Sequence, residues 1–142
     1  MLPIIIEAAA NFCLHQIRLP YDILSEPSEK RTLLAYIDIE TADGDVHRAY
    51  IGCDQTLIQT IAEIFLGEEI SDEQTLVDML LETTNMIVGS AKVLAAEVYE
   101  TTMTIATPFV LSPHESDEAL RLENKQSIRV DGGEMIIGLQ RL

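Results

Sequence analysis

Glu82 and Asn85 stand three residues apart in the stretch DMLLETTNMIVGSAK, Asp78 to Lys92. At helical spacing their side chains leave the same face at neighbouring heights. A carboxylate can grip a cation. A carboxamide both donates and accepts hydrogen bonds, so it can hold a water molecule and aim its lone pair. Neither is a strong nucleophile. If the pair catalyses anything, it acts by positioning water at a reactive bond supplied by another molecule. Asp78, Gly89 and Lys92 extend the same stripe in steps of three and four. The bland alternative is a solvated helix face. Asn85 and Gly89 fit it poorly, because Gly costs a helix interior about 1 kcal/mol relative to Ala and Asn is also a weak helix former. Two poor formers on one stripe point to a face kept for something other than stability.

The helix that must carry this stripe begins near Ser71, where Ser71 and Gln74 form a capping-box pattern, and runs to about Glu97. Leu76, Leu80, Ile87, Ala91 and Leu94 fall on its opposite side and should face a sheet. Upstream, a first helix is expected from about Pro3 to Arg18, stopping before Pro20, with Ile6, Ala9, Cys13 and Ile17 inward. RTLLAYIDIE alternates as a strand. Asp43-Gly44 turns the chain, and DVHRAYIG returns it. Asp54 caps a second helix with Leu57, Ile58, Ile61, Ile64 and Phe65 as its apolar residues, and Gly67 ends it. Downstream, YETTMTIAT, ALRLE, SIRV and EMIIGLQRL read as strands, Asp131-Gly132-Gly133 as a turn, and SPHESDE as a polar loop. The order is helix, two strands, two helices, then strands. It predicts an α+β domain over residues 1–142: a mostly antiparallel sheet packed with three helices, one of them long and carrying the stripe.

Bulk properties narrow the class. A chain of 142 residues with 47% apolar content has room for one core. The net charge of -15 repels phosphate backbones and anionic bilayers, so neither nucleic acid nor membrane is an expected partner. Cys13 and Cys53 are far apart and outside any C-x-x-C, which suits small core residues rather than a disulfide framework. MLPIIIEAAANF lacks a basic region, and no apolar stretch approaches the ~20 residues of a membrane span. The expected location is cytoplasmic.

Asp78-x3-Glu82-x2-Asn85, then 22 intervening residues and Pro108, resembles the signature of the CheC–CheX–FliY phosphatases of bacterial chemotaxis. Gly89, four after Asn85, is similar to the family's N-x3-G. The order of elements extends the resemblance over most of the chain and is most similar to single-site CheX proteins. The first helix offers only Glu7 and Asn11, four apart, so one site per chain is assigned. DVHRAYIG departs from the family in being more polar. The resemblance implies a protein phosphatase whose substrate is the aspartyl phosphate of a CheY-type response regulator. Glu82 would contact the receiver's active-site lysine. Asn85 would enter the receiver's site and orient the attacking water. Asp78 and Pro108 would support the helix and its packing. No cofactor of its own is implied; Mg²⁺ would belong to the partner receiver. A homodimer joined through its sheets is also implied. The alternative is a non-catalytic receiver-binding or flagellar-switch module of the same fold.

Other candidates are weaker. His15, His47 and His114 show no paired metal-ligand spacing. Ser112, His114 and Asp117 share one polar loop, whereas triads assemble from separate elements. DGDV lacks the length of an EF-hand loop, and DGGE is explained by a hairpin turn. Met79 and Met86 flank the stripe, either as core edge or as an adaptable contact surface.

Overall fold

The computed structural model describes residues 1–26 and 33–142. Arg31 and Thr32, the expected start of the first strand, lie outside the described residues. In chain order the elements are α1 (Leu2–Asn11), a π-helical turn (Phe12–Gln16), β1 (Tyr21–Ile23), β2 (Leu33–Thr41), β3 (Val46–Cys53), α2 (Gln55–Leu66), α3 (Glu73–Glu97), β4 (Met103–Ile105), β5 (Phe109–Val110), α4 (Pro113–Ala119), β6 (Lys125–Val130) and β7 (Gly133–Arg141). The strands form one sheet in the order β1-β6-β7-β3-β2-β4, with β5 also pairing β2, and every pairing is antiparallel. The α+β class and the antiparallel sheet are as expected. The helix number is not: α4 makes a fourth.

One face of the sheet carries the main core. Ala35, Ile37 and Ile39 of β2, Ala49 and Ile51 of β3, and Met135 and Ile137 of β7 meet Ile5, Ala9 and Cys13 from the first helical segment, Leu57, Ile58 and Ile61 from α2, and Leu80, Ile87 and Ala91 from α3. Burying each large aliphatic here is worth about 1.5–3 kcal/mol. Both cysteines are buried and free. The opposite face buries Leu34, Tyr50 and Ile136. The chain from α4 to Asn124 passes over that face: Pro113 and Leu120 share a groove with Leu34, and a Cβ on Gly138 would lie 3.7 Å from Leu122. Arg48 faces away from the core and pairs bidentately with its cross-strand neighbour Asp38, at 2.7 and 3.0 Å. Its guanidinium also sits 4.1 Å from the centre of the Tyr36 ring.

Three expectations are corrected. SPHESDE is not a loop but most of α4. Ser112 caps it, Glu115 returns the bond to the Ser112 N–H, and Pro113 takes the first turn. The helix has no buried residue, so it shows no apolar period. ALRLE is not a strand; it holds the end of α4 and the turn after it, and its leucines cover the outer face. YETTMTIAT supplies only the three residues of β4. Short β1 was not anticipated; it exists through its pairing with β6.

Candidate active site

Helix α3 is built as a long strut with one wet stripe. Its N-cap is Asp72 rather than Ser71: the Asp72 carboxylate accepts the Thr75 N–H at 2.8 Å, which holds its carboxyl below the usual range. A charged acceptor suits the positive helix end better than a hydroxyl. Ser71 instead donates to Glu68, and Gln74 donates to Asp78 at 2.9 Å.

Leu76, Leu80, Ile87 and Ala91 are buried as expected, and Leu94 is half-buried. The dry arc is wider than expected, because Met79, Thr83, Thr84, Val88 and Ala95 are buried too. Packing from α1 and α2 on one side and from β2 and β4 on the other explains the width. Between Asp78 and Gly89 what remains exposed is narrow, Asp78, Glu82 and Asn85 with Gly89 half-buried beside them; toward the C-terminal end the exposed arc widens to Ser90, Lys92, Val93, Ala96 and Glu97. Four of the five stripe residues thus point outward as the periodicity predicts. Glu82 and Asn85 are about 4.5 Å apart along the axis. Neither side chain has a hydrogen-bond or ionic partner among the described residues. They are free to engage a second molecule.

Asp78 is the stripe residue engaged within the helix, through Gln74. Pro108 lies off the helix, between β4 and β5. That segment runs back along α3, from the Thr101 N–H bonded to the Ala95 carbonyl to Val110, which shares a groove with Val77. Ile39 pairs with Ile105 but Tyr36 pairs with Phe109, so one extra residue is accommodated between the two pairs. Pro108 sits in this bulge, where a residue without an N–H costs no ladder bond.

The surroundings of the stripe add residues that sequence reasoning placed elsewhere. Ile64 and Phe65, read among the apolar residues of the second helix, are 43% and 38% exposed. The buried residues of α2 end at Ala62, so its last turn overhangs the sheet. Gly67, at φ 72°, then stops the helix as expected. The overhang makes a groove of about 420 Å³ beside the stripe, bordered by Phe65, Leu66, Asp78, Met79, Glu82 and Met86. Met86 also borders a second groove, of about 390 Å³, with Asn11, Phe12, His15 and Ser90. Of the two methionines, Met79 is buried as core edge and Met86 is partly exposed between the grooves. In the first helix, Glu7 accepts the Tyr99 hydroxyl at 2.8 Å, while Asn11 borders the second groove.

The remaining candidates are accounted for locally. The Ser112 hydroxyl accepts the Glu115 N–H, and His114 pairs with Glu118. Among the described residues no group of three or more His, Cys, Asp or Glu is arranged to hold a metal ion. Among them also, no helix is long and apolar enough to cross a membrane.

Comparison with known proteins bears on this geometry. No match was found among curated protein sequences. Solved structures share the fold. A CheX chemotaxis protein from Vibrio vulnificus superposes with a TM-score of 0.75 at 20% identity, covering 98% of this chain and 97% of that one. A CheX from Desulfovibrio desulfuricans gives 0.70 at 16% identity, covering 99% and 97%. The CheX of a CheX–CheY–BeF3–Mg²⁺ complex from Borrelia burgdorferi gives 0.67 at 13% identity, covering 98% and 96%. The sequence model for the chemotaxis phosphatase CheX matches residues 39–131 of the 142, more than half of the chain and a span holding the whole stripe and Pro108. The chain therefore belongs to the CheX family of chemotaxis phosphatases.

Proposed function

We propose that this chain hydrolyses the aspartyl phosphate of a CheY-type receiver, with Glu82 and Asn85 as the catalytic pair. The observation that carries the reading is the pair itself. Both are exposed on one helix face, and neither has a hydrogen-bond or ionic partner among the described residues. A similarly folded CheX found with CheY, BeF3 and Mg²⁺ supports placing a receiver, with its own Mg²⁺, against this surface.

In this reading Glu82 grips the receiver's active-site lysine and fixes the approach of α3. Asn85 then projects to the acyl phosphate. Its carboxamide oxygen accepts a hydrogen bond from water, which leaves a water lone pair aimed at phosphorus. Water attacks phosphorus, the bond between phosphorus and the aspartyl oxygen breaks, and the products are the free carboxylate and inorganic phosphate. The lysine and Mg²⁺ balancing the developing charge belong to the receiver. The contribution of this chain is position, which can be worth several kcal/mol of barrier. Asp78 and Pro108 support α3 and its packing, and Gly89 keeps the face beside Asn85 open to the receiver. The same reading includes a homodimer, tested by the mass of the protein in solution.

The test is loss of phosphate from purified phospho-receivers of the source organism, comparing wild type with Asn85→Ala. Wild type should accelerate the loss for at least one receiver, and Asn85→Ala should not. Because Ala is the better helix former, Asn85→Ala should also melt slightly higher, so lost activity cannot be laid to unfolding. Equal rates with both proteins would remove Asn85 from the mechanism.

A further inference from the structure

The groove beside Glu82 has a chemistry of its own. Its floor and lip are apolar: Phe65, Leu66, Met79 and Met86. Leu66 is 51% exposed, and Ile70, in the loop just after it, is 91% exposed. Large aliphatics this open, close in sequence and with Leu66 on the same groove as Glu82, mark a contact surface better than they suit solvent.

The charge around it is one-sided. From Ala49 to Ala91 the chain has eight carboxylates and no Lys, Arg or His. Seven of the eight are exposed: Glu63, Glu68, Glu69, Asp72, Glu73, Asp78 and Glu82. Asp78 and Glu82 border the groove itself, and Glu68, Glu69 and Asp72 lie in the loop that joins its two helices. An apolar centre inside an acidic rim selects for its mirror image.

We infer that the last turn of α2 and the α2–α3 loop form the surface by which this chain selects its receiver, taking an apolar side chain of the receiver into the Phe65–Leu66–Met86 groove while receiver lysines or arginines face Glu68, Glu69 and Asp72. This rests on the reading that a receiver docks against α3. It adds where the choice among receivers is made. Asn85 and Glu82 address groups any aspartyl-phosphate site needs, so they cannot distinguish one receiver from another. The groove is continuous with Glu82, so a receiver engaged there is already against it. Opposite charge speeds encounter and fixes orientation, and burial of the anchor holds the complex.

The experiment titrates wild type, Leu66→Ser, Glu69→Lys and Ile23→Ser with the source organism's CheY-type receivers, each charged with beryllofluoride and Mg²⁺. It then measures phosphate loss with the same four proteins. Ile23 is an exposed aliphatic on β1, at the far edge of the sheet, and serves as the matched control. Leu66→Ser and Glu69→Lys should each weaken binding by about three- to tenfold, with a matching rise in KM. Wild-type affinity should fall between about 50 and about 300 mM salt, and Glu69→Lys should flatten that fall. Ile23→Ser should bind as wild type does. Unchanged binding by both Leu66→Ser and Glu69→Lys would overturn the inference while leaving hydrolysis intact. Binding with the expected losses but without hydrolysis would overturn the catalytic reading and keep the surface. If wild type binds no receiver, both fall.

Discussion

Gly89→Ala separates a face kept for a partner from a face that is merely wet. Gly89 lies well inside the 25-residue α3, where glycine is least favourable. A Cβ built on it meets nothing within 4 Å, so the methyl of alanine enters open space and no steric term opposes the gain. Replacing an interior helical Gly by Ala is then worth about 1 kcal/mol. For a chain of 142 residues, with an unfolding entropy of about 2 cal/mol/K per residue, that raises Tm by about 3 °C. A solvated stripe would take this gain at no cost. A docking stripe would not. The methyl would stand one turn from Asn85, on the same face, in the path of the receiver's backbone. A misplacement of about 1 Å at a reacting centre can cost on the order of 100-fold in rate. We expect Tm to rise and kcat/KM for a phospho-receiver to fall at least tenfold. Calorimetry and the phosphate-release assay on the same preparation give both numbers. A higher Tm with unchanged turnover would refute the claim that Gly89 is kept for a partner. An unchanged or lower Tm would refute the helix argument behind it.

Two further predictions concern the support of the site. The Thr83 hydroxyl is buried without a hydrogen-bond partner among the described residues, so Thr83→Val should stabilise the fold by about 1 kcal/mol, read by denaturant titration. Burial pushes the Cys13 thiol up to about 11 from its ordinary 9.0, and raises Cys53 as well, with Asp54 adding to the shift. The folded chain therefore keeps thiol protons that the unfolded chain loses, and stability should be full below about pH 9 and decline from there toward pH 11. A Cys13→Ala/Cys53→Ala protein whose melting temperature falls just as steeply over that window would show the cause to be elsewhere.

Much of the scaffold is legible because each signal is local and physical. Asp54 accepts the Leu57 N–H at 2.9 Å, and Gly67 takes the left-handed φ its position demands. Gly44, at φ 88°, closes the β2–β3 turn. On α3 the period of 3.6 sorts dry residues from wet ones with little error, because a helix packed on both flanks leaves only one face exposed. What was missed depended on contacts distant in sequence. β1 is three residues long and stands on its partner β6. The leucines of ALRLE alternate like a strand but serve as a lid over the far side of the sheet. Ile64 and Phe65 obey the helical period of α2 and are still exposed, since periodicity gives a residue's direction and not where its packing partner ends. The -15 charge, read in bulk, speaks to solubility. Placed on the fold, its largest cation-free stretch contains Glu82, Asn85 and the groove beside them.

On the proposed reading, that placement sets a problem which a neutral Asn85 would solve. An acidic surface approaching an acyl phosphate meets like charge, so the group that enters must be neutral. Two unit charges 4 Å apart cost about 1 kcal/mol in water and about 4 kcal/mol at the dielectric of a partly buried interface. Asn85→Asp tests this, because it keeps the shape and the accepting oxygen while adding the charge. If water positioning alone mattered, the variant would keep most of its activity, since a carboxylate accepts from water at least as well as an amide. With repulsion included, its rate should drop at least about fivefold and as much as about a thousandfold, and its affinity for a beryllofluoride-charged receiver should fall as well. Asn85→Ala should lose rate and keep that affinity, because it removes the water contact without adding charge. The pair of variants separates the two roles of the amide: holding water, and arriving uncharged. An Asn85→Asp protein that hydrolyses and binds like wild type would show that the receiver's cations fully compensate the added charge, and the neutrality of Asn85 would then explain nothing.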